Sequence, residues 1–271
     1  MRGSTGRLCV IDLSKKSVKI EGIPDEILLK VLGGRGFANY LLLKNFKKLE
    51  TPLDPRNLIV VSAGLFVNTS APSSGRTNVS HLLNAENTNF ADSSFGGRFS
   101  VAMKSNRFDA IAIVGRSSKP CYLLVKNNKV TIEDAGRSWG MLTSDTEKCF
   151  KEVYGPNART LSIGPSGEKL NPYAIVVHED RAAGGSAGMV FGAKNLKAIV
   201  AVHNTTYMSP AKDQNKFTEV CLGIEDYIRS HPLYDGFSTY GTTLLTKIHN
   251  DHGNYPAHNW KEGTHDASAM L

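Results

Sequence analysis

The stretch Asp180-Arg181-Ala182-Ala183-Gly184-Gly185-Ser186-Ala187-Gly188-Met189-Val190 runs on into Gly192-Ala193-Lys194-Asn195-Leu196-Lys197-Ala198-Ile199. It reads as a glycine-rich turn, a helix start and a strand in quick succession. The apolar segments 173–178 before it and 196–202 after it have the β-branched character of strands. The first half of the chain has a similar plan. Residues 7–13 and 18–23 read as a hairpin about Ser14-Lys15-Lys16. A short helix opens at Pro24-Asp25-Glu26, where proline and acids suit the first turn. Gly33-Gly34-Arg35-Gly36 breaks it, a helix follows over 37–49, and 57–63 reads as a buried strand.

Further strands are expected at 109–115, 121–125, 129–133 and 160–163, with a helix over 144–154. The polar stretch 68–98 reads as a long irregular segment, a length that a compact domain reserves for binding loops. The class is therefore α+β: mixed β-sheets in two similar halves with short helices, without a residue-level repeat. After Met208-Ser209-Pro210 the periodicity turns helical over 213–230 and 240–251. Residues 1–208 are read as one domain and 209–271 as the first helices of a second.

Composition bounds the function. With 271 residues, 41% apolar and 21% charged, the chain is an ordinary globular sequence. No apolar run reaches the roughly 18 residues of a membrane span, and no apolar segment follows the amino-terminal arginine as in a secretory signal. A cytoplasmic location is expected. The net charge of +7 admits an anionic ligand or nucleic acid. Its basic residues are scattered, the densest group being Lys44 to Lys48 on a helix face, and no nucleic-acid motif is present. Cys9, Cys121, Cys149 and Cys221 have no metal-knuckle spacing and read as structural thiols.

The chemistry lies in three glycine/arginine segments. One is Leu32-Gly33-Gly34-Arg35-Gly36. A second pairs Ser70-Ala71-Pro72-Ser73-Ser74-Gly75-Arg76-Thr77-Asn78-Val79 with Asp92-Ser93-Ser94-Phe95-Gly96-Gly97-Arg98-Phe99. The third is the opening stretch. Glycine lets backbone amides approach an anion and permits positive φ. Arginine adds charge and a forked donor that fits phosphate. Neither G-x-x-x-x-G-K-[ST] nor a G-x-G-x-x-G opening a βαβ unit occurs, which excludes the two common nucleotide loops. His249 and His252 sit three apart without a third ligand. His178, Glu179 and Asp180 read as a strand-end cluster that orients the following turn.

In this order, L-G-G-R-G, S-A-P-x-x-G-R-x-N-V, the Gly96-Gly97 turn, Ser162-Ile163-Gly164-Pro165-Ser166-Gly167-Glu168, R-A-A-G and G-x-K-N-L-K-A-I resemble the aldehyde:ferredoxin oxidoreductase family. The strand at 108–116, Trp139-Gly140 and Tyr240-Gly241-Thr242 are also similar to family features. The resemblance implies a tungsto-bispterin cofactor (tungsten or molybdenum) with a magnesium ion bridging its phosphates. It implies oxidation of aldehydes to carboxylic acids, with ferredoxin as acceptor, and an amino-terminal domain on which the cofactor lies. Residue by residue it implies cofactor contacts at Arg76, Ser94, Gly96, Gly97, Arg181, Ala182, Gly184 and Gly185. The Ser94 and Ala182 carbonyls would be the magnesium ligands.

Two departures stand out. The family's R-A-A-G-R-G-G lacks its second arginine here. The family's C-x-x-C-x-x-x-C, which holds a [4Fe–4S] cluster, is absent, as are its downstream acid/base residues. No catalytic residue is therefore expected in this chain, which would need a catalytic carboxy-terminal portion or subunit. The alternative is an isolated or degenerate, non-catalytic cofactor-binding module.

Overall fold

The computed structural model describes residues 2–45, 49–84 and 89–266. Residues 46–48, which include Lys47 and Lys48 of the basic group, lie outside the described residues, and Leu49, the expected end of the helix over 37–49, is buried and not helical. The chain divides into two compact units, residues 1–214 and 215–271.

Among the described residues, twelve strands form two six-stranded sheets in the first unit. The strands of the first sheet are β1 (Arg7–Asp12), β2 (Ser17–Gly22), β3 (Ile59–Ala63), β4 (Thr77–Asn84), β5 (Asn89–Phe95) and β6 (Ala110–Val114), in the order β2-β1-β6-β3-β4-β5. Those of the second are β7 (Cys121–Lys126), β8 (Lys129–Asp134), β9 (Ala158–Ser162), β10 (Val176–His178), β11 (Arg181–Ala183) and β12 (Leu196–Val202), in the order β11-β10-β9-β12-β7-β8. Adding six to each strand number of the first sheet reproduces the second. The pairings match as well: β1 and β6 are parallel, as are β7 and β12, and every other neighbouring pair is antiparallel. The mixed sheets in two similar halves expected from sequence are thus one topology used twice.

Strand alternation builds the layers. In β1, Cys9 and Ile11 face a core shared by both sheets, whereas Leu8 and Val10 face outward. In β12, Ile199 and Ala201 face the shared core, and Ala198 and Val200 face outward. Helices α1 (Asp25–Val31) and α2 (Gly34–Lys44) cover the first sheet's outer face with Leu28, Phe37, Leu41 and Leu42. The short helix α3 (Phe99–Ser105) adds Phe99, Ala102 and Met103 to the shared core. Phe150 of α4 (Thr143–Tyr154) packs on the second sheet's outer face. One turn, α5 (Pro165–Glu168), precedes β10, and α6 (Ala187–Ala193) contributes Val190 and Phe191 to the shared core. Complete burial of a side chain such as Phe99 stabilises by about 1.5–3 kcal/mol.

The segment expected to be irregular over 68–98 is largely a hairpin, β4–β5. Its strands escape an apolar pattern because their buried positions are polar and hydrogen-bonded. Ser80 Oγ donates to Asn78 Oδ1 at 2.7 Å, and the Ser100 amide donates to Thr77 Oγ1 at 3.1 Å. Helix α3 follows directly after that segment.

The G-x-K-N-L-K motif is a structural fastening. Lys194 Nζ, fully buried, donates to the carbonyls of Pro55 (2.9 Å) and Gly115 (3.1 Å). Lys197 Nζ donates to Met141 O and to Glu168 Oε1, and Glu168 accepts from the Gly140 amide. Three of the motifs quoted above therefore interlock. Burial lowers Lys194 to about 7, since a charged ammonium is poorly solvated there.

The second unit takes in most of α7 (Gln214–Arg229), then α8 (Tyr234–Tyr240), a 3₁₀ turn over Gly241–Leu245 and α9 (Thr246–Asp251). Leu222, Ile224, Tyr227 and Ile248 are exposed. Among the described residues no helix is long and apolar enough to cross a membrane.

Candidate functional site

The edge strand β5 of the first sheet meets the edge strand β11 of the second. The Gly184 amide donates to Ser93 Oγ at 3.0 Å. Each edge strand then ends in a Gly-Gly turn followed by a short core helix: Gly96-Gly97-Arg98 before α3, and Gly184-Gly185-Ser186 before α6. Strand registers make the two turns equivalent. Thr77 pairs Phe95 as Val176 pairs Ala183, so Ser94 corresponds to Ala182 and Ser93 to Arg181. The two expected magnesium ligands thus occupy matching backbone positions in the two halves.

Contacts across the junction are reciprocal. Ser93 of the first half reaches the Gly184 turn, and Arg181 of the second half lies against the Gly96 turn. A Cβ on Gly96 would sit 3.4 Å from both Arg181 Cδ and Nε. Arg76 Nη1 donates to the Ser94 carbonyl at 3.3 Å. Arg35, on the first turn of α2, lies 3.5 Å from Asp92 Oδ2 on β5. Arg76, Ser94, Gly96, Gly97, Arg181, Ala182, Gly184 and Gly185 all fall along this one junction.

The Gly97 turn leaves no room for a side chain. Gly97 has φ +96°, and a Cβ there would lie 2.7 Å from His178 Cδ2 and 2.9 Å from Nε2. His178, wholly buried at the end of β10, accepts the Arg98 amide at Nε2 (3.2 Å), and its Nδ1 lies 2.9 Å from the Thr160 carbonyl. A carbonyl accepts only, so Nδ1 carries the proton and Nε2 is the acceptor. Burial favours this neutral ring and pushes His178 below the ordinary histidine value. Expected to help orient the turn that follows it, His178 instead has its ring against the Gly97 turn of the opposite sheet. Beside it, Gly75, Gly97 and Arg98 line an open hollow of about 700 Å³ with Asn68, His203 and Tyr207.

Arginines beside a glycine turn, open to solvent, make a donor set suited to phosphate. Two carbonyls in equivalent positions suit a hard cation between two such groups. The Arg76 guanidinium on the Ser94 carbonyl would have to move aside for one. His249 and His252 make local bonds, to Asn254 Oδ1 (3.0 Å) and Ile248 O (2.7 Å). Among the described residues no three His, Cys, Asp or Glu side chains converge to hold a metal.

The fold is a two-sheet domain of one topology used twice, whose sheet edges meet at one junction of glycine turns and arginines. The profile described as "Aldehyde ferredoxin oxidoreductase, N-terminal domain" matches residues 8–203, and the chain belongs to that family. It is 37% identical over 270 residues to the tungsten-containing aldehyde ferredoxin oxidoreductase of Pyrococcus furiosus, covering 98% of this chain and 44% of that protein. The Thermococcus kodakarensis enzyme of the same name is 38% identical over 268 residues, covering 97% and 44%. The aliphatic sulfonate oxidoreductase WOR-like subunit of Pyrococcus furiosus is 27% identical over 285 residues, covering 98% and 45%. Among solved structures, the active site complex BamBC of benzoyl coenzyme A reductase with 1,5-dienoyl-CoA superposes with TM-score 0.80 and 29% identity, over 84% of this chain and 35% of that one. The chain spans less than half the length of these relatives.

Proposed function

We propose that this chain is the base on which a tungsten-pterin cofactor lies in an aldehyde-oxidising, ferredoxin-reducing enzyme. The observation that carries this reading is the meeting of two topologically equivalent Gly-Gly turns at one junction, which suits a ligand with two equivalent halves. Arg76 and Arg181 would hold phosphate, the Gly96–Gly97 and Gly184–Gly185 backbones would let it approach, and the Ser94 and Ala182 carbonyls would hold magnesium. When bound, the cofactor supplies the oxygen-transfer and electron-accepting chemistry. The chain's own share is binding, orientation and charge.

A [4Fe–4S] cluster belongs, on this reading, to a portion corresponding to the rest of the relatives' length. The aldehyde site and the ferredoxin contact belong there as well. The 271 residues alone are then inactive, and the complete enzyme is cytoplasmic. The test is elemental and pterin analysis of the chain purified together with such a portion from tungstate-grown cells. Tungsten and pterin should co-purify with the protein; a folded complex free of both rejects the reading.

A further inference from the structure

The hollow of about 700 Å³ beside the Gly97 turn opens between the loop that follows β3 and the segment that follows β12. Ser73 and Ser74 line it from the loop, His203, Thr205 and Tyr207 from the segment, and Arg98 from the turn. Of the eight residues placed along the junction, all of them described, Gly97 alone also lines the hollow. The hollow is thus a neighbour of the junction with side chains of its own.

Its charge is unbalanced. No carboxylate lies among the described residues that line it. Arg98 is exposed, and among the described residues its guanidinium has no ion-pair partner. The His203 ring likewise has no hydrogen-bond partner among them; its backbone amide donates to the Asn157 carbonyl at 3.0 Å. The Arg107 guanidinium stands 4.8 Å from the centre of the Tyr207 ring. Burial first, and then the positive charges of Arg159 and Arg98, hold His203 below the ordinary histidine value. Three arginines therefore bear on one concavity whose described wall offers no acid. A cleft lined by one sign of charge focuses its field and concentrates ions of the opposite sign. The planar fork of arginine fits two oxygens of a carboxylate or a phosphate. A neutral imidazole adds one N–H donor, and an anion beside it favours protonation of the second nitrogen.

We propose that this hollow is an anion site separate from the junction, taking a small oxyanion, carboxylate or phosphate, between the Arg98 guanidinium and the His203 ring. It stands on its own residues and does not depend on the reading of the junction as a cofactor base.

The test titrates the ¹⁵N-labelled 271-residue chain with sodium phosphate, with sodium acetate in a second series, and with sodium chloride at matched ionic strength as the control. The ring nitrogens of His203 and the amide of Tyr207 are the reporters. At least one of the two oxyanions should shift both reporters saturably and raise the titration midpoint of His203, and chloride should do neither. The affinities of the two series tell a phosphate site from a carboxylate site. Arg98→Ala, which keeps the amide bonded to His178, should weaken binding on the order of tenfold, the scale of one lost charge-assisted bond. Arg76→Ala, at the junction, should leave the response of these reporters unchanged. Resonances of β8, at the opposite edge of the second sheet from β11, report whether each variant is folded. A lack of saturable shifts with either oxyanion, shifts that chloride reproduces, or binding that survives Arg98→Ala at full strength each overturn the proposal. All three outcomes leave the cofactor reading standing, since that reading is judged by tungsten and pterin content.

Discussion

Gly97→Ala strikes the site where its two halves lock together. A Cβ at Gly97 would fall 2.7 Å from His178 Cδ2, closer than packed carbons come, and φ is +96°. Holding a non-glycine residue at positive φ costs about 1–2 kcal/mol. Forcing an extra methyl into a filled site costs about 1–3 kcal/mol. Their sum, about 2–5 kcal/mol, is a large part of the stability of an ordinary domain. Gly96→Ala is the control: its Cβ would meet Arg181 at 3.4 Å, an ordinary contact with a flexible side chain. That variant should stay within about 1 kcal/mol of the parent. Urea unfolding of the two variants, repeated in a His178→Ala background, separates the two contributions. Without the ring the steric part should vanish and the backbone part remain. Equal costs for Gly96→Ala and Gly97→Ala, or a Gly97 cost untouched by removal of His178, would refute the buttress.

Three further outcomes are expected. Lys194→Met leaves the Pro55 and Gly115 carbonyls without their donor and should cost about 1–3 kcal/mol in the same unfolding assay. His178 and His81 are both held below the ordinary histidine value by burial, so the unfolded chain binds their protons first. Stability is then complete above about pH 6.5 and falls as pH drops below it, which thermal melts across that range will read. The 271-residue chain alone should show neither iron–sulfur absorbance nor aldehyde-dependent dye reduction.

Much of this fold is legible where both faces of a strand are apolar, as in Ile59–Ala63 and Leu196–Val202. The β4–β5 hairpin is not, because its buried Thr77, Asn78, Ser80 and His81 are polar and break the apolar pattern by which a buried strand is recognised. The duplication is hidden for a related reason. The two halves keep their strand order and their Gly-Gly turns, while the residues around the turns have diverged from Arg76 and Arg98 to Ile175 and Ser186. The glycine/arginine segments reveal the candidate site because backbone approach and charge have a narrow residue vocabulary. The part played by His178 is legible only in outline: its ring acts on Gly97, far away in sequence and on the other sheet.

The most direct measurement of the central claim is the tungsten and pterin content of the complete protein carrying Arg76→Ala and Arg181→Ala, against the unaltered protein prepared in parallel. Each replacement removes charge-assisted bonds worth about 1–3 kcal/mol. The expected result is a folded protein that loses both tungsten and pterin on dialysis while the unaltered protein keeps them. Full retention of both in the doubly substituted, folded protein would contradict the assignment of this junction as the cofactor base.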